Sequence, residues 1–450
     1  MKNTSSGRFC WLVLPALWVC HTVAVAQQNV YGNGLIGSFQ SQSNNFQSPF
    51  GNSITPAANQ PLAPNMGTSA LAGPSAFRSL YVPTGPGLVT VGPLAVYPHL
   101  LDTTTYGNGI EAQPGRNSTT WVNTVAPGLL LTLGSHWILD YTPSLAFYSN
   151  PLFHDTTGQH VVLNGVTTNG DWSLSLSQSY LDTTSPLLET GTQIEQQAYV
   201  TAFNAAWQMS SKLSLQLGLN QNFRFIPALD SVREWSSADW LNYQFEPQLG
   251  AALGVTGGYD LVSAGSDMPF EQALGRVVFA PGTKLLLILI GGAEDRQFVH
   301  PSETSLISPI FNASALYQIR DGTLLTVAAS RSVVPSLYGN EINTITTFTG
   351  NLRQQIVGQM YLDLSGGYTS EPYTSIQPAP LPGGFTGPRP LSALAVTRTD
   401  TRTFEQIGLS TVFRTRLTAT IFYMFSDNAS SQSNFSYWGH QVGLTLSYRY

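Results

Sequence analysis

From Lys212 to Phe225 apolar and polar side chains trade places residue by residue. Leu213, Leu215, Leu217, Leu219, Phe223 and Phe225 fall on one parity, and Lys212, Ser214, Gln216, Gly218, Asn220, Asn222 and Arg224 on the other. Successive side chains of a strand point to opposite faces, whereas a helix at 3.6 residues per turn would mix the two sets. The order recurs in Leu174 and Leu176 opposite Ser173, Ser175, Ser177 and Ser179. It recurs again in Phe311, Ala313, Ala315, Tyr317 and Ile319 against Asn312, Ser314, Gln318 and Arg320, and in Leu417, Ala419, Ile421, Tyr423 and Phe425. No stretch beyond the N-terminal segment approaches the roughly 18–20 apolar residues of a membrane-crossing helix, but a transmembrane β-strand needs only about 9–11 alternating ones.

A soluble β-sandwich also alternates, so three further features are needed to separate the two. The polar parity is Ser, Thr, Gln, Asn and Gly instead of the Lys and Glu of a solvent-exposed sheet, and charged residues are 10 % of the chain where about a quarter is usual. Tight turns at Ser210-Ser211, Pro247-Gln248, Pro281-Gly282, Asp321-Gly322 and Thr415 alternate with long connections at 183–194, 226–232, 293–303 and 371–395. Short turns at one end and long loops at the other mark a membrane barrel. Asp321-Gly322 reads as a type I′ hairpin turn. Aromatics gather at strand ends as two interfacial girdles: Trp121, Trp137, Tyr141, Phe147, Tyr148, Trp207, Trp235, Trp240, Tyr243, Phe245, Tyr259 and Tyr448.

The N-terminus places the chain in the export pathway. Lys2 and Arg8 precede an apolar run from Phe9 to Cys20 that closes on Ala24-Val25-Ala26, which reads as a secretory signal peptide over 1–26 with cleavage before Gln27. Cys10 and Cys20 both lie inside it, so cleavage leaves no thiol for a disulfide or metal, and the bulky Leu17-Trp18-Val19 argues against a lipid anchor at Cys20. Losing Lys2 and Arg8 takes the formal charge from −6 to −8, which disfavours nucleic acid as a partner. Residues 27–92, dense in Gln, Asn, Ser, Pro and Gly, read as a flexible periplasmic leader, with a plug in the lumen as the alternative.

Residues 93–450 are expected to form an all-β fold, a transmembrane antiparallel up-and-down β-barrel. Eighteen strand-like segments run from 93–108 to 435–450, and the weakest are 93–108, 159–167 and 341–356, so sixteen is the alternative. An even number returns both chain ends to the periplasmic side.

In the last segment Trp438, His440, Val442, Leu444, Leu446, Tyr448 and Tyr450 alternate with Gly439, Gln441, Gly443, Thr445, Ser447 and Arg449. Here the chain resembles bacterial outer-membrane barrel proteins, whose C-terminal strand ends on an aromatic residue behind alternate apolar ones. The resemblance implies outer-membrane localisation, outer-membrane lipid as surroundings, and recognition by the barrel-assembly machinery through Val442, Leu444, Leu446, Tyr448 and Tyr450. A narrower resemblance rests on Val91-Gly92-Pro93-Leu94, Tyr97-Pro98, Tyr106-Gly107-Asn108, Ala126-Pro127-Gly128-Leu129 and Asp140-Tyr141. These look like the porin-type barrels encoded near exopolysaccharide biosynthesis and export genes, and imply saccharides or export components as partners.

Chemistry beyond passage has thin support in the residues. His300-Pro301-Ser302 is similar to the His-x-Ser arrangement of barrel lipid hydrolases, but Pro301 breaks strand pairing and Glu303-Thr304 replace the Asn those families carry. His154-Asp155 with His160 has no metal-ligand spacing, and the pairs Gly257-Gly258, Gly291-Gly292 and Gly366-Gly367 suit curvature or close packing, not phosphate binding. Neither an enzyme nor a cofactor is expected. The expected lumen lining is a sparse mixed set on the polar parity: Arg224, Glu246, Arg276, Lys284, Arg320, Asp363 and Arg449. Many weak hydrogen bonds among few charges suit hydroxyl-rich solutes such as saccharides better than ions. The long connection at 371–395 is expected to fold inward and constrict the pore.

Overall fold

The computed structural model describes residues 87–108, 118–187, 192–227, 229, 231–263, 265–299, 304–336, 341–376, 396–413 and 416–450. A short strand β1 (Val89–Val91) forms a hairpin with β2 (Leu94–Asn108). There follow β3 (Thr119–Leu133), β4 (Trp137–Tyr148), β5 (Thr156–Asn169), β6 (Trp172–Leu187), β7 (Thr192–Gln208), β8 (Leu213–Phe225) and β9 (Val232–Glu246). Next come β10 (Leu249–Val262), β11 (Met268–Phe279), β12 (Leu285–Phe298), β13 (Thr304–Arg320), β14 (Thr323–Pro335) and β15 (Glu341–Val357). The chain ends with β16 (Met360–Ser375), β17 (Val396–Phe413), β18 (Leu417–Ser430) and β19 (Tyr437–Arg449). Each strand from β2 onward pairs antiparallel with the next, and β19 pairs with β2 from Arg449↔His99 to Gln441↔Gly107. The result is a closed eighteen-strand barrel with β1 as an addition at one end. The three weakest segments are all strands, which removes the sixteen-strand alternative.

Closure satisfies every ladder without leaving a sheet edge, the condition for placing a sheet in hydrocarbon. Parity then decides the two surfaces. On β8 the odd residues Leu217 and Leu219 are exposed outward, while Ser214, Gln216, Asn220 and Arg224 are buried on the inner face. On β9 Trp235 and Tyr243 both face outward, and the eight residue steps between them span about 26 Å of strand at ~3.3 Å each. At ~40° tilt that is about 20 Å of height, close to the ~25 Å apolar band of outer-membrane barrels. Leu253 and Val255 on neighbouring β10, 74 % and 63 % exposed, fill the same level.

The aromatic rings sort by end. Trp172 stacks on Trp207 with centroids 5.6 Å apart beside the tight turn at Gly170, and Tyr243 meets Phe245 edge-on at 4.8 Å. Tyr180 and Tyr199, and Phe223 and Trp235, pair at the loop end of the same strands. Two expected girdle residues do not belong there. Trp240 has inward parity and is 1 % exposed, and Tyr148, also inward, packs on Phe153 beyond the strand end. Trp240 misleads because an indole reads as interfacial by composition, while its parity on β9 turns it to the lumen.

Tight turns occupy one end, as at Gly170-Asp171, Pro247-Gln248, Asp321-Gly322 and Gly358-Gln359. Asp321-Gly322 is tight, but not the expected type I′ turn. Gly322 is absent from the glycines with positive φ, its N–H bonds back to Arg320 O at 2.9 Å, and the ladder slips between Gln318 and Arg320. A bulge supplies the reversal instead. A Cβ there would lie 2.9 Å from the mobile Oε1 of the exposed Gln355, which must shift to admit it. The long connections are shorter than expected because strands outlast their apolar alternation: β6 runs to Leu187, β12 to Phe298 and β16 to Ser375. The signal segment, the leader up to residue 86, His300-Pro301-Ser302, Thr415 and residues 377–395 lie outside the described residues.

Candidate pore lumen

Inner-face side chains come from alternate positions of consecutive strands, so chemistry assembles sideways, strand to strand. At the turn end, His99 Nε2 lies 3.2 Å from Asp140 Oδ1, which also accepts the Thr142 hydroxyl at 2.8 Å. Arg449 pairs with His99 across the closing ladder. The imidazole lies flat on Gly128 of β3, where any Cβ would overlap the ring.

The same device builds the wall over β8–β12. The Trp240 indole lies on Gly254 of β10, and a Cβ there would sit 2.5 Å from the ring. The Arg276 guanidinium stacks over the indole at 4.3 Å and donates from Nη2 to Asn242 Oδ1 at 2.5 Å. Ala252, Leu274, Val278, Leu286, Ile288 and Ile290 surround it as an apolar patch. Apolar lining of this kind was not expected of an inner face read as Ser, Thr, Gln and Asn.

Toward the loops, Phe270 lies on Gly258 and carries Arg296 at 4.6 Å. Arg296 Nη1 is ion-paired with Asp260, Nε donates to Glu294 Oε1 at 2.8 Å, and Nη2 donates to Val333 O at 3.3 Å. Glu294 Oε2 accepts Gln272 at 2.7 Å, and Arg224 and Glu234 complete the group, all buried apart from the half-buried Gln272. A second group lies at the loop end of β15–β17. Arg398 is held between the rings of Tyr373 and Phe435, at 3.8 and 3.9 Å, with Nε 3.2 Å from Asp400 Oδ2. Asn343 donates to Glu371 at 2.9 Å; separately, near the tight-turn end of the same strands, Asp363 takes the Ser410 hydroxyl at 3.1 Å and faces Arg353 at 3.9 Å.

Of the seven expected lining residues, Arg224, Arg276 and Asp363 are buried on the inner face, and Arg449 is half-buried there. Glu246, Lys284 and Arg320 are exposed beside the tight turns and meet none of the inner groups described above. Sequence reasoning missed Arg296, Glu294, Asp260, Glu234, Arg398, Arg402, Asp400, Glu371 and the His99–Asp140 pair. Inward parity was the available signal, but Glu294 and Arg296 sat beyond the expected end of their strand at 293. Among the buried residues there are five arginines and seven carboxylates; Arg296, Arg398 and their acids stand in opposed groups, while Arg276 is held by Trp240 and Asn242. His154 and Asp155 are spent locally: the Asp155 carboxylate accepts the Tyr148 N–H at 2.8 Å, and the His154 main chain bonds to Gln193.

The outer row of β19 consists of Trp438, His440, Val442, Leu444, Leu446 and Tyr448, all exposed on the wall.

No protein-family model matches the chain, and no curated protein matches it. Among solved structures, OpdQ of Pseudomonas aeruginosa aligns at TM-score 0.43 and 10 % identity over 80 % of this chain and 99 % of that one. OpdK of the same organism, crystallised with vanillate, aligns at TM-score 0.42 and 12 % identity over 79 % and 98 %. A bacterial polysaccharide outer-membrane secretin aligns at TM-score 0.34 and 8 % identity over 80 % and 100 %.

Proposed function

We propose that the protein is an outer-membrane channel that passes small hydrophilic solutes, uncharged or of mixed charge, with saccharides as the favoured class. The observation that carries the reading is the two-sided wall: a closed eighteen-strand cylinder, apolar and aromatic outside, and polar with opposed charges inside. Eighteen strands are enough for an aqueous channel. Neutralised charge pairs have short-range fields, so an ion gains little by entering, while a polyol finds many exchangeable hydrogen bonds. The signal peptide read at 1–26 and the outward Val442, Leu444, Leu446 and Tyr448, with Tyr450 next on their parity, support export and handling by the barrel-assembly machinery. A role beside exopolysaccharide export follows from the narrower sequence likeness, as part of the same proposal. Transport, not catalysis, is the activity to test first.

Purified full-length protein in planar bilayers, with maltose-series oligosaccharides added to one side, tests the reading. Discrete conductance steps with concentration-dependent sugar block are expected; a silent barrel that is fully inserted would refute it. A second reading has its own observation. Asp260, Glu294, Arg296 and Trp240 are 0–3 % exposed although they face inward, so the lumen is filled beside β9–β12. A barrel filled across its whole section would anchor or scaffold an export complex, and the silent outcome would favour that role.

A further inference from the structure

The outer wall carries one feature that passage does not use. Over β13–β16 the lipid-facing positions include the small Ala313, Ala315, Ala329, Gly350 and Gly366 beside the rings of Phe348 and Tyr368. The result is an apolar notch of about 490 Å³ in the outside of the wall, inside the ~300–1,000 Å³ range of small-molecule sites. Phe348 and Tyr368, with ring centroids 6.4 Å apart, wall it on one side, and Leu287 on another. One outward position above Ala329, on the loop side, stands Arg331, paired across the ladders with Phe311 and Thr346. Its Nη1 donates to Thr346 Oγ1 at 3.2 Å, its Nε is buried without a partner, and no carboxylate bridges it among the described residues. Arg233, the other lipid-facing arginine on the described strands, lies over the Phe225 ring at 5.2 Å and is not among the residues lining this notch.

A guanidinium on the lipid face of a barrel costs up to about 2–4 kcal/mol at the midplane and less near the interface, so its position needs an anion to offset it. Phosphate matches the guanidinium fork and leaves Thr346 to donate as well. The order of the two parts fixes the leaflet. The cation lies toward the loops and the apolar notch toward the middle of the wall, so a lipid bound here has its headgroup outside and its chain inside. An inner-leaflet lipid would need the reverse.

Resting on the outer-membrane reading above, we propose that this face binds a phosphorylated saccharolipid of the outer leaflet, of the lipid A class. Arg331 and Thr346 hold a phosphate, and an acyl chain lies in the notch between Phe348, Tyr368 and the small residues.

Native mass spectrometry of the full chain in detergent, titrated with diphosphoryl lipid A, tests the proposal. R331Q is expected to weaken binding about tenfold or more, the scale of one charged hydrogen-bonded contact, with R331K recovering part of it. Gly350→Leu, which fills the notch and leaves the charge, should weaken it by a similar factor, while R233Q should stay within about twofold. Equal binding by wild type, R331Q and Gly350→Leu would overturn the site. Equally tight, Arg331-dependent binding of phosphatidylglycerol would overturn the assignment to a saccharolipid. A far-UV spectrum and gel migration with and without boiling report barrel formation separately. A wild-type chain that forms no detergent-stable barrel defeats the outer-membrane reading itself.

Discussion

Placing a methyl group on Gly254 should damage the barrel far more than placing one on Gly257, three residues along the same strand. The contrast is geometric. A Cβ at 254 would lie 2.5–2.7 Å from three atoms of the Trp240 indole, whereas a Cβ at 257 meets nothing within 4 Å. Ordinary contact needs about 3.5–4.0 Å, so Gly254→Ala must lift the ring by roughly 1 Å off the wall. The ring cannot lift freely, because Arg276 stacks on its other face at 4.3 Å and is tied to Asn242. Overpacking of this kind costs about 1–3 kcal/mol, and disturbing the desolvated cation–π contact adds about 0.5–2 kcal/mol. Gly257→Ala should be neutral, or stabilise by about 0.4–1 kcal/mol through the unfolded chain. Urea-induced unfolding from lipid vesicles, followed by tryptophan fluorescence, measures both. Trp240→Ala in the Gly254→Ala background removes the clash, so the two substitutions should be strongly non-additive. Equal stability of the two alanine variants would refute the reading that the inner aromatics are seated on cross-strand glycines.

Removing the arginine at the centre of the β9–β12 group, Arg296→Met, leaves Asp260 and Glu294 buried without their cation; a loss of about 3–5 kcal/mol in the same unfolding assay is expected. Asp239 faces outward midway between Trp235 and Tyr243, held only by a weak Ser237 bond at 3.3 Å, and Asp239→Leu should raise stability by about 1–2 kcal/mol if lipid covers it. A loss there would mean that protein covers that face. Leu446→Ser with Tyr448→Ser puts two hydroxyls on the exposed row of β19; the amount of heat-modifiable barrel recovered from membranes should fall several-fold, while an unchanged yield would remove these positions from the assembly signal. Reversing a buried charge of the inner wall, Arg276→Glu, should shift cation-over-anion selectivity measured by reversal potential in a salt gradient, since eight buried carboxylates would then face four arginines.

The outer wall was legible because lipid imposes one rule on every outward position, and a rule obeyed at every second residue is visible in the sequence. Strand number, closing order and the outward row of β19 all follow from it. The inner wall obeys no such rule. Arg296 needs Asp260 from β10 and Val333 from β14, and alternation along one strand says nothing about which residue stands beside it on another. Trp240 is a different case: its inward parity on β9 is legible, but its partners, Gly254 and Arg276, are local in register and distant in sequence. Strand ends failed where polar residues continued the ladder past the apolar alternation, and that failure hid Glu294 and Arg296 in an expected loop.

The two groups of buried charge lie on different parts of the wall, one on β8–β12 and one on β15–β17, and each is closed by its own arginine and its own aromatic seat. Ion pairs this deeply buried are weakly screened, so added salt should leave the stability of the barrel nearly unchanged, whereas a rim charge such as Lys284 or Glu246 acts within about 8–10 Å at physiological salt. A conductance selectivity that collapses with salt would thus come from the exposed turn end. One that persists would come from the buried charges inside, and Arg276→Glu alone should then be enough to change it.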